Sequence, residues 1–338
     1  MARTITFREA INEAMRLEMR RDPTVIFMGE DVAGGASLEH LEEENAEAWG
    51  GVLGVSKGLA PEFGRDRVRD TPISESAFIG AAVGAASTGL RPIAELMFVD
   101  FFGVCFDQIF NQGAKLRYMF GGKAKVPMVI RTMIGGGFRA AAQHSQCLYS
   151  VFAHIPGLKS VAPATPYDAK GLLAAAIRDD DPVIFFEHKV LYDTKGEVPE
   201  ENYTIPLGKA DIKRKGEDVT VVTIARMTLF ALEAAKKLAD DGISIEVVDL
   251  RSLSPMDDEA ILNSVKKTHR LVVIDEDNPR CSMATDVAAL VADQAFDYLD
   301  APPKMITPPH VPVPFSPPLE DIYLPSVDRI VSTVKGLM

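Results

Sequence analysis

Between Asp218 and Asp275 the chain alternates without a break between short apolar runs and amphipathic ones. Asp218–Ala225, Ile243–Leu250 and Leu271–Asp275 are rich in Val and Ile and read as buried strands. Leu229–Leu238 and Asp257–Lys267 lie between them with helical spacing, and Asp241-Gly242 turns the chain. A β-α-β-α-β series of this kind has one common solution, a parallel sheet with right-handed crossovers.

The earlier half uses the same elements less regularly. Thr6 and Glu9 form a capping box for a helix whose apolar face is Phe7, Ile11, Ala14, Met15 and Met19. Thr24–Met28, Pro92–Phe98, Val126–Arg131 and Val183–Phe186 read as strands, and Asp107–Tyr118 as a helix. Thr165–Arg178 is a helix opened by Pro166 at the favoured first position. Ser74–Ser87 is a helix of small residues, closed by Gly89, and its small side chains predict that it is buried against another element.

Lys195–Pro206 is polar, contains Pro199 and Pro206, and reads as a linker between two α/β domains with parallel sheets, 1–194 and 207–338. A chain of 338 residues suits that count. Ala33–Gly51, which carries the only tryptophan, Trp49, has no period and reads as a long loop. Ala301–Pro325 is dense in proline and is predicted to run over the surface as neither regular helix nor central strand.

Charge narrows the choice of partners. Lys and Arg total 36 against 48 Asp and Glu, a net charge of −12. That excludes the basic footprint of a nucleic-acid binder and fits an anionic membrane surface poorly. There is no apolar run of about 18 residues, and Met1–Thr6 leads into a charged helix and not into an apolar signal region. Cys105, Cys147 and Cys281 are too few for a disulfide framework and share no metal-ligand spacing. These features predict a cytoplasmic protein.

The common phosphate and catalytic motifs are missing. Gly121-Gly122-Lys123 lacks the spacing of a Walker loop, Gly50-Gly51-Val52-Leu53-Gly54 does not follow a strand, and neither His-Glu-x-x-His nor Gly-x-Ser-x-Gly occurs. A Gly-Asp-Gly diphosphate and magnesium signature is also absent. Three features remain. Glu75 follows the potential cap Ser74 in the first turn of the small-residue helix, where it suits either a dipole role or a buried carboxyl bonded to a ligand nitrogen. Phe101, beyond the Pro92–Phe98 strand, suits either core packing or stacking on a planar ring. Gln143-His144-Ser145-Gln146 places four polar side chains in an apolar setting, with His144 the best acid–base candidate among six histidines.

Taken in order, five motifs make the chain resemble a known family. Gly29-Glu30-Asp31, Thr71–Glu75, Gln143–Gln146, Pro156–Lys159 and Asp249–Pro255 look like the β subunit of the first component (E1) of thiamine-diphosphate-dependent 2-oxo acid dehydrogenases. Ala48–Val55, Asp107–Gln112, Arg117–Lys123 and Pro308–Pro317 look most similar to the acetoin dehydrogenase branch, ahead of the pyruvate and branched-chain branches. The likeness spans essentially the whole chain. It implies a transketolase-like pyrimidine-binding domain followed by a transketolase C-terminal domain.

The resemblance also implies roles. Glu75 matches the glutamate that bonds N1′ of the cofactor's aminopyrimidine, Phe101 the aromatic that stacks on it, and His144 the histidine facing the reactive carbon. Met128, Ala176, Ile177, Asp179 and Asp181 match a structural potassium site built largely of backbone carbonyls, with Asp181 where relatives often have Asn. In such assemblies an α subunit holds the diphosphate and Mg2+, the complex is an α2β2 heterotetramer, and it docks on a lipoyl acyltransferase (E2) core. The implied reaction is C–C cleavage of acetoin, a small-molecule substrate, with oxidative transfer of the two-carbon unit to lipoamide. Pyruvate or a branched-chain 2-oxo acid is the alternative substrate. Two other readings remain open on the residues alone: a non-catalytic scaffold in which Glu75 only caps a helix, and a self-sufficient transketolase-like enzyme.

Overall fold

The computed structural model describes residues 2–34 and 50–338. Most of the loop expected over Ala33–Gly51, Trp49 included, lies outside the described residues.

The strand–helix alternation folds as its sequence demands. Val219–Thr223 pairs in parallel with Ile245–Asp249 on one side and Leu271–Ile274 on the other, and every residue of all three strands is buried. Burial on both faces is why these runs are rich in Val and Ile, with Thr220, Thr223, Glu246 and Asp249 as their buried polar members. The crossovers are the helices Met227–Ala239 and Asp258–Thr268. Asp257 caps the second, its carboxylate accepting from Ala260 N at 3.3 Å. The sheet has five strands, ordered Lys304–Ile306, Leu271–Ile274, Val219–Thr223, Ile245–Asp249, Asp211–Arg214, and only the last edge strand is antiparallel.

The first half builds a seven-stranded sheet, ordered Ser252–Ser254, Lys159–Val161, Val183–His188, Val129–Ile134, Arg91–Phe98, Val25–Gly29, Val68–Asp70. Six strands are parallel, and the seventh, Ser252–Ser254, is antiparallel and comes from the second half. One hydrophobic core runs through both halves, joining Ile79, Leu96 and Phe186 to Val248, Leu250 and Val273. Ion pairs join the halves too, Arg251 to Asp168 at 3.0 Å and Arg139 to Glu320 at 2.7 Å. The two sheets therefore hold one another in place.

Several expectations need correcting. The segment read as a linker begins with a strand, Lys195–Pro199, which pairs with Ala2–Thr6. Its polar composition reflects a two-stranded ribbon with partly exposed faces. The proline-rich tail contributes an edge strand, Lys304–Ile306, and a short helix, Pro317–Tyr323. Both obey the proline rules: the strand has no proline within it, and the helix carries its prolines in the first turn. Asp107–Tyr118 is not one α-helix. It is a π-turn at Gln108–Gly113 and a short helix at Leu116–Met119, preceded by a 3-10 turn at Val99–Cys105. The wider turn seats Gly113 against Gln108 O and Val83, where a Cβ would lie 3.4 Å from that carbonyl. The expected strand Val126–Arg131 is Val129–Ile134. The small-residue helix Glu75–Ser87 buries Phe78, Ile79, Ala82, Val83 and Ala86, but Ala77, Ala81 and Gly84 on its other face are exposed.

Candidate functional site

The site gathers at the carboxyl ends of the parallel strands, where α/β sheets present their ligand crevices. Val25–Gly29 delivers Glu30, Val68–Asp70 leads through Thr71 to the helix of Glu75, Arg91–Phe98 leads to Phe101, and Val129–Ile134 leads to the glycine-rich loop before His144.

Glu75 is the first residue of its helix and is half-buried. Ser74 occupies the cap position but makes no side-chain bond to the helix, so the capping expected of it is absent. Thr71 N donates to Gly29 O at 2.9 Å, which ties the loop before Glu75 to the strand end that carries Glu30. Burial, and then the charge of Glu75, holds the Glu30 carboxyl above its usual range. Burial and Glu75 also push the Cys105 thiol up to about 12. Ser76 Oγ donates to Val104 O, so the first turn of the Glu75 helix is fastened to the 3-10 turn that carries Phe101.

Phe101 and His144 meet directly, with ring centroids 5.4 Å apart and planes at 86°. Phe98 packs edge-on to both, at 5.5 Å from Phe101 and 4.8 Å from His144. A second link lies behind the rings. Asp100 Oδ1 accepts from Gln146 Nε2 at 2.7 Å and from Gln146 N at 3.3 Å. The turn before Phe101 is thus bonded to the loop after His144. Arg139 and Ala141 in that loop both hold φ of +62°, a backbone conformation that costs energy in non-glycine residues and gathers at functional sites. Arg139 is anchored on Glu320 and Asp321. A cavity of about 360 Å³ borders the loop, lined by Ala142, Ser145, Gln146 and, from the proline-rich tail, His310.

Six buried side-chain oxygens among the described residues lack a hydrogen-bond partner. Three of them, Thr71 Oγ1, Asp100 Oδ2 and Ser145 Oγ, belong to the three motifs that the sequence singles out. An unpaired buried polar group costs about 1–3 kcal/mol, so such a concentration marks a place where partners arrive from outside the chain. A half-buried carboxyl, an aromatic ring, an imidazole and spare acceptors together suit a planar, nitrogen-bearing ring.

The five residues matched to a cation site do come together, at the turn between the Pro166–Arg178 helix and the Val183–His188 strand. Met128 O accepts from Val183 N at 3.0 Å, and Ala176 O from Asp179 N at 3.2 Å. Ile177 O and Asp179 O both accept from Arg91 Nη1, at 3.1 and 2.8 Å. The Asp181 carboxylate pairs with Arg117 at 2.6 Å and Lys159 at 3.2 Å. Each of these carbonyls keeps a second lone pair. Among the described residues no cluster of three or more His, Cys, Asp or Glu side chains could hold a metal ion.

Beneath the site Arg131 is almost fully buried between two glutamates. It bonds Glu187 twice, at 2.6 and 2.8 Å, and Glu95 at 2.8 Å. Tyr192 adds a bond to Glu187 at 2.7 Å. Burial pushes Glu95 up against the pull of Arg131. Sequence reasoning did not select Glu30, Asp100 or Gln146 as site residues. Position was the available signal, since Glu30 and Gln146 lie inside the Gly29–Asp31 and Gln143–Gln146 motifs and Asp100 stands beside Phe101.

Comparisons with known proteins bear on the fold and the family. Residues 3–195 match the transketolase pyrimidine binding domain, and residues 208–330 the transketolase C-terminal domain. The chain is 66% identical over 338 residues to the acetoin:2,6-dichlorophenolindophenol oxidoreductase subunit beta of Bacillus subtilis, covering 100% of this chain and 98% of that one. It is 61% identical, with the same coverage, to the Cupriavidus necator protein of the same name. Among solved structures it resembles a split-gene transketolase described as an inactive beta4 tetramer, with a TM-score of 0.76 over 98% of both chains at 23% identity, a likeness of fold.

Proposed function

The chain belongs to the β subunits of the transketolase-like, thiamine-diphosphate-dependent dehydrogenase E1 components, and from that premise we propose that it supplies the pyrimidine side of an active site completed by an α subunit. The supporting observation is the direct packing of Phe101 on His144, with the first turn of the Glu75 helix fastened to the turn that carries Phe101 and an unpaired buried oxygen in each of the three segments. The absence of Gly-Asp-Gly supports the division of labour, with the diphosphate and Mg2+ left to α in an α2β2 heterotetramer. We place that complex in the cytoplasm, docked on a lipoyl E2 core, with acetoin as its substrate.

Thiamine diphosphate, when bound, supplies a nucleophilic carbon that can break a C–C bond beside a carbonyl. The chain's own residues do the rest. The Glu75 carboxyl holds a proton at the pyrimidine N1′. Phe101 offers a ring face to the pyrimidine. His144 has both ring nitrogens free of hydrogen bonds among the described residues, so it can orient a substrate oxygen or move a proton there. The cation proposal adds one potassium ion at the Met128, Ala176, Ile177, Asp179 and Asp181 turn, using the carbonyls' spare lone pairs. A higher melting temperature in potassium than in sodium buffer supports it, and equal melting removes it.

The test of substrate is direct. The purified chain combined with its α subunit reduces a dye acceptor faster with acetoin than with pyruvate or a branched-chain 2-oxo acid. Faster reduction with a 2-oxo acid overturns the acetoin assignment in favour of the alternative.

A further inference from the structure

We propose that Glu276 is a positioning residue for His144: from the second half of the chain it grips the glycine-rich loop that leads to the imidazole, and so sets how His144 faces its substrate. The inference rests on the reading of His144 as the acid–base residue of the site.

The loop runs from Gly135 to Gln146 and closes on itself, Gly135 N donating to Gln146 O at 3.0 Å. Inside it, both backbone polar atoms of Gly136 are taken by side chains of the second half. Gly136 N donates to Glu276 Oε1 at 2.6 Å, and Gly136 O accepts from Arg226 Nη1 at 3.4 Å. The next amide, Gly137 N, donates to Glu320 Oε1 at 2.7 Å. The other oxygen of Glu276 accepts from His188 Nε2 at 3.0 Å, while Nδ1 of that ring accepts from Val190 N at 3.4 Å. Glu276 is thus buried, bonded through both oxygens, and set between the loop and the end of the Val183–His188 strand. A Cβ on Gly135 would lie 2.1 Å from His188 Nε2, and one on Gly137 2.5 Å from Arg226 Nη1. Glycine at these positions is what admits the gripping side chains.

The place of these groups in the second sheet gives the grip its meaning. Arg226 follows the Val219–Thr223 strand and Glu276 follows Leu271–Ile274, two neighbouring parallel strands, so both stand beyond carboxyl ends. In α/β sheets that edge is where a ligand is expected. Here it holds a loop of the first half instead. After Gly137 the loop passes through Arg139 and Ala141, both at positive φ, before it reaches His144. Such a backbone persists only where its surroundings fix it. Phe98 and Phe101 fix the imidazole by packing, and Glu276 fixes the path by which the chain arrives there.

Glu276→Gln tests this with almost no change of volume. It sets one acceptor and one donor where two N–H groups point, so either Gly136 or His188 loses its bond. In the αβ complex kcat for acetoin is expected to fall about 10- to 100-fold, the scale of a small misplacement, with KM little changed. In a complex already carrying His144→Phe the same change is expected to cost less than about twofold, because no imidazole is left to misplace. Amide hydrogen exchange over 135–146, read on the complex without cofactor, is expected to quicken, while that of the Met227–Ala239 helix stays as it was. Arg226→Met, which releases only Gly136 O, is expected to give the same pattern more weakly and carries the test if Glu276→Gln does not assemble. Equal losses of kcat in the two backgrounds, or unchanged exchange in the loop, overturn the inference. Full turnover by His144→Phe alone overturns the reading of His144 itself, a result distinct from either of these.

Discussion

The imidazole of His144 stands edge-on to the ring of Phe101, 5.4 Å between centroids and 86° between planes, with Phe98 closing on it at 4.8 Å. Two aromatic rings thus fix the position of a histidine without using its nitrogens. Edge-to-face packing of this kind is worth about 0.5–1.5 kcal/mol per pair beyond burial, enough to set a rotamer but not to tie up a proton.

That arrangement separates packing from chemistry. His144→Phe keeps an aromatic ring against Phe98 and Phe101 and removes both nitrogens. The αβ complex carrying it is expected to assemble and melt like the wild type while losing about 10²–10⁴-fold in turnover. Equal turnover in the two proteins, measured by dye reduction, rules out an acid–base role for His144.

Arg131 is a point where the fold is vulnerable to a single change. Its guanidinium balances Glu95 and Glu187 in the interior of the sheet. Arg131→Met leaves two carboxylates buried without a counter-charge, and such losses cost about 3–5 kcal/mol. Chemical denaturation of the isolated chain should show the loss, and a double change of Arg131→Met with Glu187→Gln should recover part of it.

Asp249 gives the stability a pH dependence with a definite sign. Burial, then the nearby Asp168, raises its carboxyl far above the ordinary range despite Lys213 and Arg251. The folded chain therefore keeps a proton that the unfolded chain releases near pH 4. Stability from this group is greatest in acid and declines as pH rises towards the raised folded value. Asp249→Asn, whose amide oxygen can still accept from Arg251 N, is expected to melt with less pH dependence than the wild type from about pH 4 to about pH 8. Parallel curves for the two proteins contradict the assignment.

The three cysteines differ in reactivity for physical reasons. Cys105 and Cys147 are buried and their thiols are pushed up by burial, Cys105 to about 12, while Cys281 is exposed. A thiol reagent at neutral pH is expected to titrate Cys281 quickly in the native chain and the other two only after denaturation. Fast labelling of all three contradicts this burial.

What could be read in the sequence follows from what is local. The Val219–Thr223, Ile245–Asp249 and Leu271–Ile274 strands announce themselves because both faces are buried and Val and Ile dominate them. The Thr6 box is a four-residue event, and it forms with Thr6 N donating to Glu9 Oε2 at 2.7 Å. Ser252–Ser254 is a different case. Nothing in three residues shows that they cross to the other sheet and pair with Lys159–Val161, because the decision is made by the packing of two halves. The same holds for Lys195–Pro199, which is polar by composition and becomes a strand because Ala2–Thr6 lies beside it. At the site, Glu75, Phe101 and His144 were legible as residue types in marked positions. The Asp100–Gln146 bond was not, because it joins segments 46 residues apart that only the folded chain brings together.

The central claim is that Glu75 meets the cofactor's pyrimidine, and one substitution addresses it most directly. Glu75→Ala in the chain, assembled with its α subunit and saturated with thiamine diphosphate and Mg2+, should form the normal complex and lose acetoin-dependent dye reduction. Full turnover by that complex would contradict the account and leave Glu75 as the first residue of a helix and nothing more.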